Sequence, residues 1–285
     1  MINRRLWVVA CCYALSAREF RLRLDALAAQ LGVAFCGVIV DNRGSDLPQN
    51  DSNWDYIAGS NRDHDFSAYV EGLEHCVELA AGEPDVMLFL NDSLMTLHAP
   101  RVNAKAVVGY ADLLARLAVP GICGKADHYA MMCHRNPWSG LPLYVSSYCF
   151  LLNNLAYSIL RALPGFADTD GLNRDRPVND NAWGVGLQAN FREFIRAYVH
   201  YGHSTFVWPG LQRYSIDDRL VSIKARCIYL EHRLSGEIAR DGCLVPINAR
   251  ALSRVQLYLA EKVVALRCSL WRRWIDCRSS ARSRV

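Results

Sequence analysis

Two aspartates, Asp41 and Asp92, each follow a run of apolar residues, at positions 33–40 and 85–90. Such runs predict strands that are buried on both faces of a sheet. In open α/β sheets, ligands bind in the crevice outside the carboxyl ends of the strands. We therefore expect both carboxylates to lie on one rim and to face the same pocket. Carboxylates placed there can hold a divalent cation that neutralises the charge of a diphosphate or a phosphoryl group.

The elements that would position these aspartates alternate between strands and helices. An apolar run at 7–13 predicts a first strand, and Ser16 and Glu19 form a capping box for the helix that follows. Apolar residues at helical spacing continue this helix to Gly32, and the same spacing predicts a second helix at 66–82. Strands that alternate with helices favour a parallel sheet of right-handed βαβ units.

The rest of the chain predicts further elements around longer irregular stretches. We interpret the polar segment 46–61 as a loop, and the turn-rich segment 166–178 as a long loop over the site. Further strands are predicted around Ile122 and at 141–152, and further helices at 104–117, 154–163, 180–189, 191–200 and 216–238. The predicted fold class is α/β, with a mostly parallel central sheet flanked by helices and a helical C-terminal extension.

The segment 250–285 differs from the rest of the chain in charge. It holds nine basic and two acidic residues and carries +7, whereas residues 1–249 carry −3. A helix predicted at 251–274 has an apolar stripe and two tryptophans near its end, which is typical of helices that lie on anionic membrane surfaces. The pattern also fits a helix packed on the body with a solvated basic face. We divide the chain into a domain at 1–249 and a basic amphipathic tail at 250–285.

Composition indicates a globular protein. Apolar residues make up 52% of the chain and charged residues 21%, which excludes a disordered or fibrous chain. A net charge of +4 is too small to indicate a nucleic-acid partner, and no apolar stretch is long enough to predict a membrane-spanning helix. The 11 cysteines contain no C-x-x-C pair, so we expect reduced, partly buried thiols in a cytoplasmic protein.

The beginning of the chain allows a second interpretation. Basic residues at 4–5, an apolar stretch at 6–15 and small residues near Ala17 resemble a secretory signal with its cleavage site. The capping box that starts at Ser16 favours the alternative, a first buried strand followed directly by a helix.

Four segments of the chain resemble sequence motifs that occur in the same order in one protein family. They read VIVDNRGS at 38–45, NRDHDFSAY at 61–69, MLFLNDS at 87–93 and LYVSSYCF at 143–150. In that order they resemble the VDNGS turn, the N-x-G-x-D-F-x-A segment, the NDS form of the D-x-D metal motif and the acceptor-side QSYF strand. These motifs belong to GT-A type glycosyltransferases, in the branch related to rhamnan synthesis protein F. The resemblance extends over roughly residues 6–200.

This resemblance implies a GT-A-like fold and transfer of a sugar from a nucleotide diphosphate sugar to a saccharide or lipid-linked saccharide, in bacterial surface polysaccharide synthesis. It implies that Asp92 binds Mg²⁺ or Mn²⁺, although Ser93 stands where a standard D-x-D motif ends in an aspartate. The donor-binding residues that it implies are Tyr13, Asp41, Asn42, Asn61, Asp65, Asn91, Asp92 and Ser93. The acceptor-side residues that it implies are Ser147 and Tyr148.

An inverting sugar transfer also needs a general base near the acceptor hydroxyl, usually a carboxylate. Asp175 and Asp180 are the candidates, and we favour Asp180, because related enzymes keep an acidic pair in roughly this place and a helix is predicted to begin there. A carboxylate at a helix N-terminus can instead serve to stabilise the helix dipole. Glu231 and His232 form a further pair, which we interpret as part of a solvated helix face rather than as a metal site.

Other functions stay open at this point. A non-catalytic protein that binds a nucleotide sugar, or that scaffolds a polysaccharide-assembly complex, would use the same residues. A phosphoryl-transferring or hydrolysing enzyme would use strand-end aspartates with Mg²⁺, although the chain has no Walker-type glycine loop. Asp, Asn and Ser at these positions are also the types that favour turns and helix caps. We expect a cytoplasmic location, peripheral on the inner membrane face.

Overall fold

The architecture is a mixed sheet with helices on both faces, and it is described for residues 5–44, 47–129, 135–200 and 219–247 of a computed structural model. The strands are β1 (Arg5–Cys12), β2 (Ala34–Asp41), β3 (Trp54–Ala58), β4 (Val86–Asn91), β5 (Gly121–His128), β6 (Leu143–Asn153) and β7 (Cys243–Pro246). The helices are α1 (Ala17–Leu31), α2 (Asp65–Leu79), α3 (Ser93–Thr96), α4 (Pro100–Val108), α5 (Ala111–Ala115), α6 (Tyr157–Thr169), α7 (Ala189–His200) and α8 (Arg219–Asp241). The α/β fold class is confirmed.

The seven described strands form one sheet in the order β3-β2-β1-β4-β6-β5-β7. The pairs β1–β2, β1–β4, β2–β3 and β5–β7 are parallel, whereas β6 is antiparallel to both of its neighbours. Six strands therefore run in one direction and β6 runs against them. The sheet is mostly parallel, as predicted, and the carboxyl ends of β2, β1 and β4 meet at one edge.

The helix that follows β1 begins and ends as its sequence predicts. The Ser16 hydroxyl accepts a hydrogen bond from the Glu19 amide at 3.2 Å, which caps the start of α1. The Glu19 carboxylate pairs with Arg23 instead of completing the capping box. Gly32 ends the helix at φ 68, a left-handed conformation that glycine adopts without strain. Residues 5–12 thus form a central strand, as the capping box indicated.

The core consists of two layers, one on each face of the sheet. Alternating strand residues such as Val9 and Phe89 pack against α2, α6, α7 and α8, and their neighbours Val8 and Leu88 pack against α1, α4 and α5. Residues that alternate along a buried strand point to opposite faces. Both faces are therefore covered with apolar side chains, and the polar edge formed by the strand ends lies between the layers.

Several predicted boundaries are wrong for identifiable reasons. The segment 46–61 contains β3, because Trp54 and Tyr56 are buried between polar neighbours that resemble a loop. The helix predicted at 104–117 is two helices, α4 and α5, that meet at 109–110. Helix α6 continues through Pro164, since Leu163 and Ala167 pack in the core on either side of it and packing outweighs one lost hydrogen bond.

Two further differences from prediction lie in the second half of the chain, at 180–189 and 243–246. The segment 180–189 forms turns instead of a helix, because the Gly184 amide donates to the Gly171 carbonyl and the Gly186 amide donates to the Asp170 carbonyl. Strand β7, which the sequence patterns do not predict, adds four residues to the edge of the sheet beside β5. The helix predicted at 251–274, with the whole tail at 250–285, lies outside the described residues.

The described cysteines are free thiols, as expected. Seven of them are buried and Cys243 is half-buried. No helix in the described part of the chain combines the length and the apolar character that crossing a membrane requires.

Candidate functional site

Asp41 and Asp92 lie at the same edge of the sheet, on either side of β1. Cys12 pairs with Asp41 across the β1–β2 ladder, and Cys11 pairs with Asn91 across the β1–β4 ladder. Neighbouring strands lie about 4.8 Å apart, so the two aspartates are separated by about 10 Å. Both carboxylates are buried. The pKa of the nearby Cys12 thiol is raised to about 12, mainly by burial and further by the charges of Asp41 and Asp92.

The Asp92 carboxylate is fixed by the loop that follows β1. Its Oδ2 atom accepts hydrogen bonds of 2.6–2.8 Å from three consecutive backbone amides, those of Tyr13, Ala14 and Leu15. Burial raises the pKa of Asp92 although these hydrogen bonds favour the ionised form, and the nearby Asp65 carboxylate raises it further. Asp92 therefore joins the end of β4 to the loop before α1 and fixes the position of that loop at the edge of the sheet.

Asp41 is covered by a neighbouring cation. The Arg43 amide donates to Asp41 Oδ1 at 2.8 Å, and the Arg43 guanidinium reaches both carboxylate oxygens at 3.2–3.3 Å. The side chain of Asp41 has no exposed surface, whereas Arg43 is about one-third exposed. A ligand that approaches Asp41 from solvent would therefore meet Arg43 first.

Behind the aspartates, a polar network joins β4 to the start of α2. Asn91 Nδ2 donates to Asp65 Oδ2 at 2.8 Å, and His64 Nδ1 lies 3.1 Å from Asp65 Oδ1. Burial opposes ionisation of Asp65, but the charge of His64 and these contacts hold the pKa of the carboxyl well below its ordinary value. Burial also lowers the pKa of His64, yet the Asp65 carboxylate outweighs it and raises this pKa to about 9.

The remaining donor residues implied by the resemblance lie around this network. Tyr13 stacks on the His64 ring with 5.7 Å between ring centroids, and Asn42 Nδ2 donates to the His64 carbonyl at 3.1 Å. Ser93 donates through its amide and its hydroxyl to Asn91 Oδ1. Asn61 has φ 49, and its buried Oδ1 makes no hydrogen bond with a described residue. The structure thus brings Tyr13, Asp41, Asn42, Asp65, Asn91, Asp92 and Ser93 to one edge.

The two acceptor-side residues point to opposite faces of β6. The Ser147 amide and hydroxyl donate to Glu231 Oε1 at 2.6 and 2.8 Å, so this side chain faces α8. Tyr148 lies in the other core layer and stacks on His98 with 3.8 Å between ring centroids. Only Ser147 of this pair therefore faces the same side of the sheet as α2 and α8.

Glu231 is half-buried on α8, beside polar groups of β6. Burial raises the pKa of Glu231 and Asp127 raises it further, while the Ser147 hydrogen bonds and the charge of Lys224 act in the opposite direction. A carboxylate with these neighbours can accept a proton more readily than an exposed one. The interpretation of this segment as a solvated helix face is wrong for Glu231.

That interpretation is also wrong for His232, which is buried. Its Nδ1 lies 2.7 Å from the Tyr129 hydroxyl, and its ring contacts Tyr144, Phe191 and Phe194. Burial lowers the pKa of His232 to about 3, so the ring is neutral in the folded protein at physiological pH. His232 is therefore a core residue.

Asp180 lies in a turn, where its contacts are local. Its Oδ1 accepts from the Ala182 amide at 2.7 Å and pairs with Arg176 at 3.5 Å. The helix predicted to begin at this residue is absent, and the described contacts of the Asp180 carboxylate do not reach the strand-end residues. Its proposed role as a base stays a prediction that local geometry does not favour.

A buried ion pair that the sequence did not suggest lies beside this edge. Asp63 accepts from Arg226 Nε at 2.5 Å and from Arg174 Nη2 at 2.9 Å. Burial opposes the ionisation of Asp63, but the two guanidinium groups hold its pKa below the ordinary value. Arg174 also lines an open cavity of about 530 Å³, whose other walls are Asp168, Gly171, Asn173, Asp175, Arg176 and Ala182.

The fit of Mg²⁺ or Mn²⁺ depends on which oxygens of Asp92 are available. Three amides occupy Oδ2, so Oδ1 is the oxygen of Asp92 left for a cation. These ions take one or two protein carboxylates and complete their coordination with waters and phosphate oxygens. Asp92 therefore fits a cation that is bound together with a diphosphate.

Comparison of the chain with protein-family models, with curated proteins and with solved structures finds no match in any of the three.

Proposed function

We propose that the chain is a GT-A-like glycosyltransferase, which moves a sugar from a nucleotide diphosphate sugar to a saccharide or lipid-linked saccharide in bacterial surface polysaccharide synthesis. The observation that carries this proposal is the position of Asp41 and Asp92 on either side of β1, at the carboxyl edge of a mostly parallel sheet. This edge is where open α/β sheets bind nucleotides. The four motifs that resemble glycosyltransferases contribute residues to this same edge or to the strand beside it.

The donor would lie across the end of β1. Asp41 and Tyr13 are placed to contact the nucleoside, once Arg43 moves aside from the Asp41 carboxylate. Asp92 Oδ1 would hold Mg²⁺ or Mn²⁺, and that ion would neutralise the charge that develops on the diphosphate leaving group. Two hydrogen bonds hold the end of β4 and the loop after β2 against the start of α2: Asn91 donates to Asp65, and Asn42 donates to the His64 carbonyl.

Glu231 is the carboxylate that the geometry favours as the base, in place of Asp180. It is half-buried beside Ser147, which lies on the strand that the resemblance assigns to the acceptor, and its pKa is raised. A base with a raised pKa can take the proton of an acceptor hydroxyl as the new bond to the sugar forms. Asp180 keeps local contacts within its own turn.

The test is donor cleavage measured with purified protein. We expect release of nucleoside diphosphate from at least one nucleotide diphosphate sugar in a panel, with Mn²⁺ or Mg²⁺ and a mixture of saccharide acceptors. Asp92→Asn is expected to lower turnover by about a hundredfold or more, because it removes the charged cation ligand. Asp85→Asn is the matched control, since Asp85 is exposed and lies at the opposite end of β4.

A second variant separates catalysis from folding. Glu231→Gln keeps the size of the side chain and is expected to lower turnover by about 10²–10⁴-fold with little change in donor affinity. Circular dichroism shows whether both variants are folded. Full activity in folded Asp92→Asn, or absence of donor binding by calorimetry across the whole panel, would overturn the proposal.

One observation favours the alternative of a non-catalytic nucleotide-sugar-binding or scaffolding protein. The two edge aspartates are already engaged, Asp92 by three backbone amides and Asp41 by Arg43. A protein that binds a donor without cleaving it needs no available metal ligand. Donor binding in calorimetry without any release of nucleoside diphosphate, with or without acceptor, would support this alternative.

A further inference from the structure

A second cluster of metal-binding side chains lies where the start of α2 meets α8. His64, Asp65 and Cys227 each offer one ligand atom, and these three atoms lie within 4.8 Å of one another. Asp65 and Cys227 are buried, at 6% and 3% exposure. Ligands of tetrahedral zinc, at bond lengths of about 2.0–2.3 Å, lie about 3.3–3.8 Å apart. Small side-chain rotations are therefore sufficient to bring the three atoms into a shared coordination sphere.

The imidazole of His64 is held in an unusual way. Its Nδ1 is buried and lies 3.1 Å from Asp65 Oδ1, but makes no hydrogen bond of acceptable geometry. The backbone of His64 has φ 56 and ψ −127, a conformation that is unfavourable for a residue with a side chain. Asn42 Nδ2 and Ser67 Oγ donate to the His64 carbonyl at 3.1 and 2.9 Å, and so maintain this conformation. The surrounding structure thus fixes a strained histidine next to a carboxylate and a thiol.

We propose that His64, Asp65 and Cys227 bind a zinc ion, with the fourth position open to water or a ligand. The ligand types decide the metal, because thiolate and imidazole favour Zn²⁺, whereas Mg²⁺ and Mn²⁺ prefer oxygen. On binding, the Cys227 thiol and the protonated His64 imidazole each give one proton to solvent, so that a thiolate and a neutral imidazole bind the ion. The site shares Asp65 with the donor-binding residues that the resemblance implies, but it does not include Asp92 and it joins α2 to α8. Its tests measure metal binding and thermal stability, so they are separate from the test of sugar transfer.

The surroundings of the cluster suit such an ion. Asn91 Nδ2 donates to Asp65 Oδ2 at 2.8 Å, which orients the carboxylate as second-layer partners of metal ligands do. The ammonium of Lys224 lies near His64 and Asp65 and would oppose an isolated cation. A zinc ion with one thiolate and one carboxylate has no net charge, so Lys224 does not face added positive charge at the site.

The test uses the full chain after removal of metals with a chelator, at neutral pH and in the presence of a non-thiol reductant. Co²⁺ replaces Zn²⁺ as a probe, because a cysteine thiolate bound to cobalt gives a charge-transfer absorption band. We expect this band to saturate at one equivalent, to disappear when Zn²⁺ is added, and to be lost in Cys227→Ser. Cys243→Ser is the matched control and should keep the band, since Cys243 lies on β7.

A second measurement guards against a variant that does not fold. Zn²⁺ should raise the melting temperature of the wild-type protein, because a ligand that binds the folded state stabilises it. His64→Gln and Asp65→Asn should remain folded by circular dichroism and lose this rise. The absence of a cobalt–thiolate band in the wild-type protein would overturn the proposal. So would a band that persists in folded Cys227→Ser, because it would come from another cysteine.

Discussion

Arg226 and Asp63 form an ion pair with 2.5 Å between Nε and Oδ1, and the two side chains are only 0% and 2% exposed. The pair joins α8 to the loop before α2, across 163 positions of sequence. Arg226 Nη1 also pairs with Asp168 at 2.9 Å and donates to the Leu172 carbonyl, so one guanidinium ties three segments together. The position of α8 at the strand-end edge therefore depends on a buried charge.

Removal of this charge is expected to destabilise the protein strongly. Arg226→Met should lower the free energy of unfolding by about 3–5 kcal/mol, because it leaves Asp63 buried without its main partner. The double variant Asp63→Asn/Arg226→Met should recover part of this loss. Urea unfolding followed by circular dichroism measures both. Equal stability of the single and double variants would show that the buried carboxylate is not the cause.

The hydrogen bonds between the Asp92 carboxylate and the loop after β1 give a second stability prediction. Asp92→Asn should lower the free energy of unfolding by about 1–3 kcal/mol, because a neutral amide accepts less strongly from the three amides and brings two donors of its own. Asp85→Asn should change it by less than about 0.5 kcal/mol, as exposed substitutions usually do. Chemical denaturation measures the stability of both variants. Equal losses in Asp92→Asn and Asp85→Asn would show that the hydrogen bonds to Asp92 do not stabilise the protein.

Gly59 tests how tightly the edge is packed. A Cβ atom at Gly59 would lie 2.1 Å from Asn42 Oδ1 and 2.9 Å from Val40 Cγ1, so Asn42 must move. Gly59→Ala is expected to lower the free energy of unfolding by about 1–3 kcal/mol. Gly165→Ala is the matched control, because it lies within α6 with open space around it, and should stabilise the protein by about 0.5–1 kcal/mol. Thermal unfolding of both variants would show the opposite signs.

His232 predicts a pH dependence of stability. Its pKa is about 3 in the folded protein, against 6.5 for the ordinary group, so the unfolded chain binds the additional proton as the pH falls below 6.5. The contribution of His232 to stability is therefore complete above pH 6.5 and is lost progressively between pH 6.5 and 3. One proton changes the unfolding free energy by at most about 1.4 kcal/mol per pH unit.

The measurement is urea unfolding at pH 7, 6, 5 and 4 for wild type and His232→Gln. Glutamine keeps hydrogen-bonding capacity toward Tyr129 but does not titrate, so the variant should lose stability less steeply over this range. Parallel slopes for the two proteins would show that other groups cause the acid sensitivity.

The sequence predicts the strands that form the site's edge of the sheet better than it predicts the side-chain contacts at that edge. The apolar runs before Asp41 and Asp92 predict buried parallel strands, and the topology of parallel strands then brings their ends together. The engagement of Asp92 by backbone amides could not be predicted, because it depends on how the loop at 13–15 turns. The Arg226–Asp63 ion pair could not be predicted either, because local sequence patterns do not identify partners that lie 163 positions apart.

The sequence of α8 contains a pattern that indicates its contribution to the site. Lys224, Cys227 and Glu231 are spaced by three and four positions, which places them on one face of a helix. A cation, a thiol and a carboxylate on one helix face, among apolar residues, predict a partly buried polar surface rather than a solvated one. The prediction of Asp180 as the base depends on a helix that begins at this residue, whereas the segment forms turns through the hydrogen bonds of the Gly184 and Gly186 amides.

The central place of β1 has a consequence for synthesis on the ribosome. This strand leaves the exit tunnel about 80 residues before its second neighbour, β4. Until β4 emerges, one whole side of an apolar strand has no partner, which is the kind of surface that promotes aggregation of nascent chains. Translation rate over the segment 42–85, or chaperone supply during that interval, is thus expected to influence the yield of native protein.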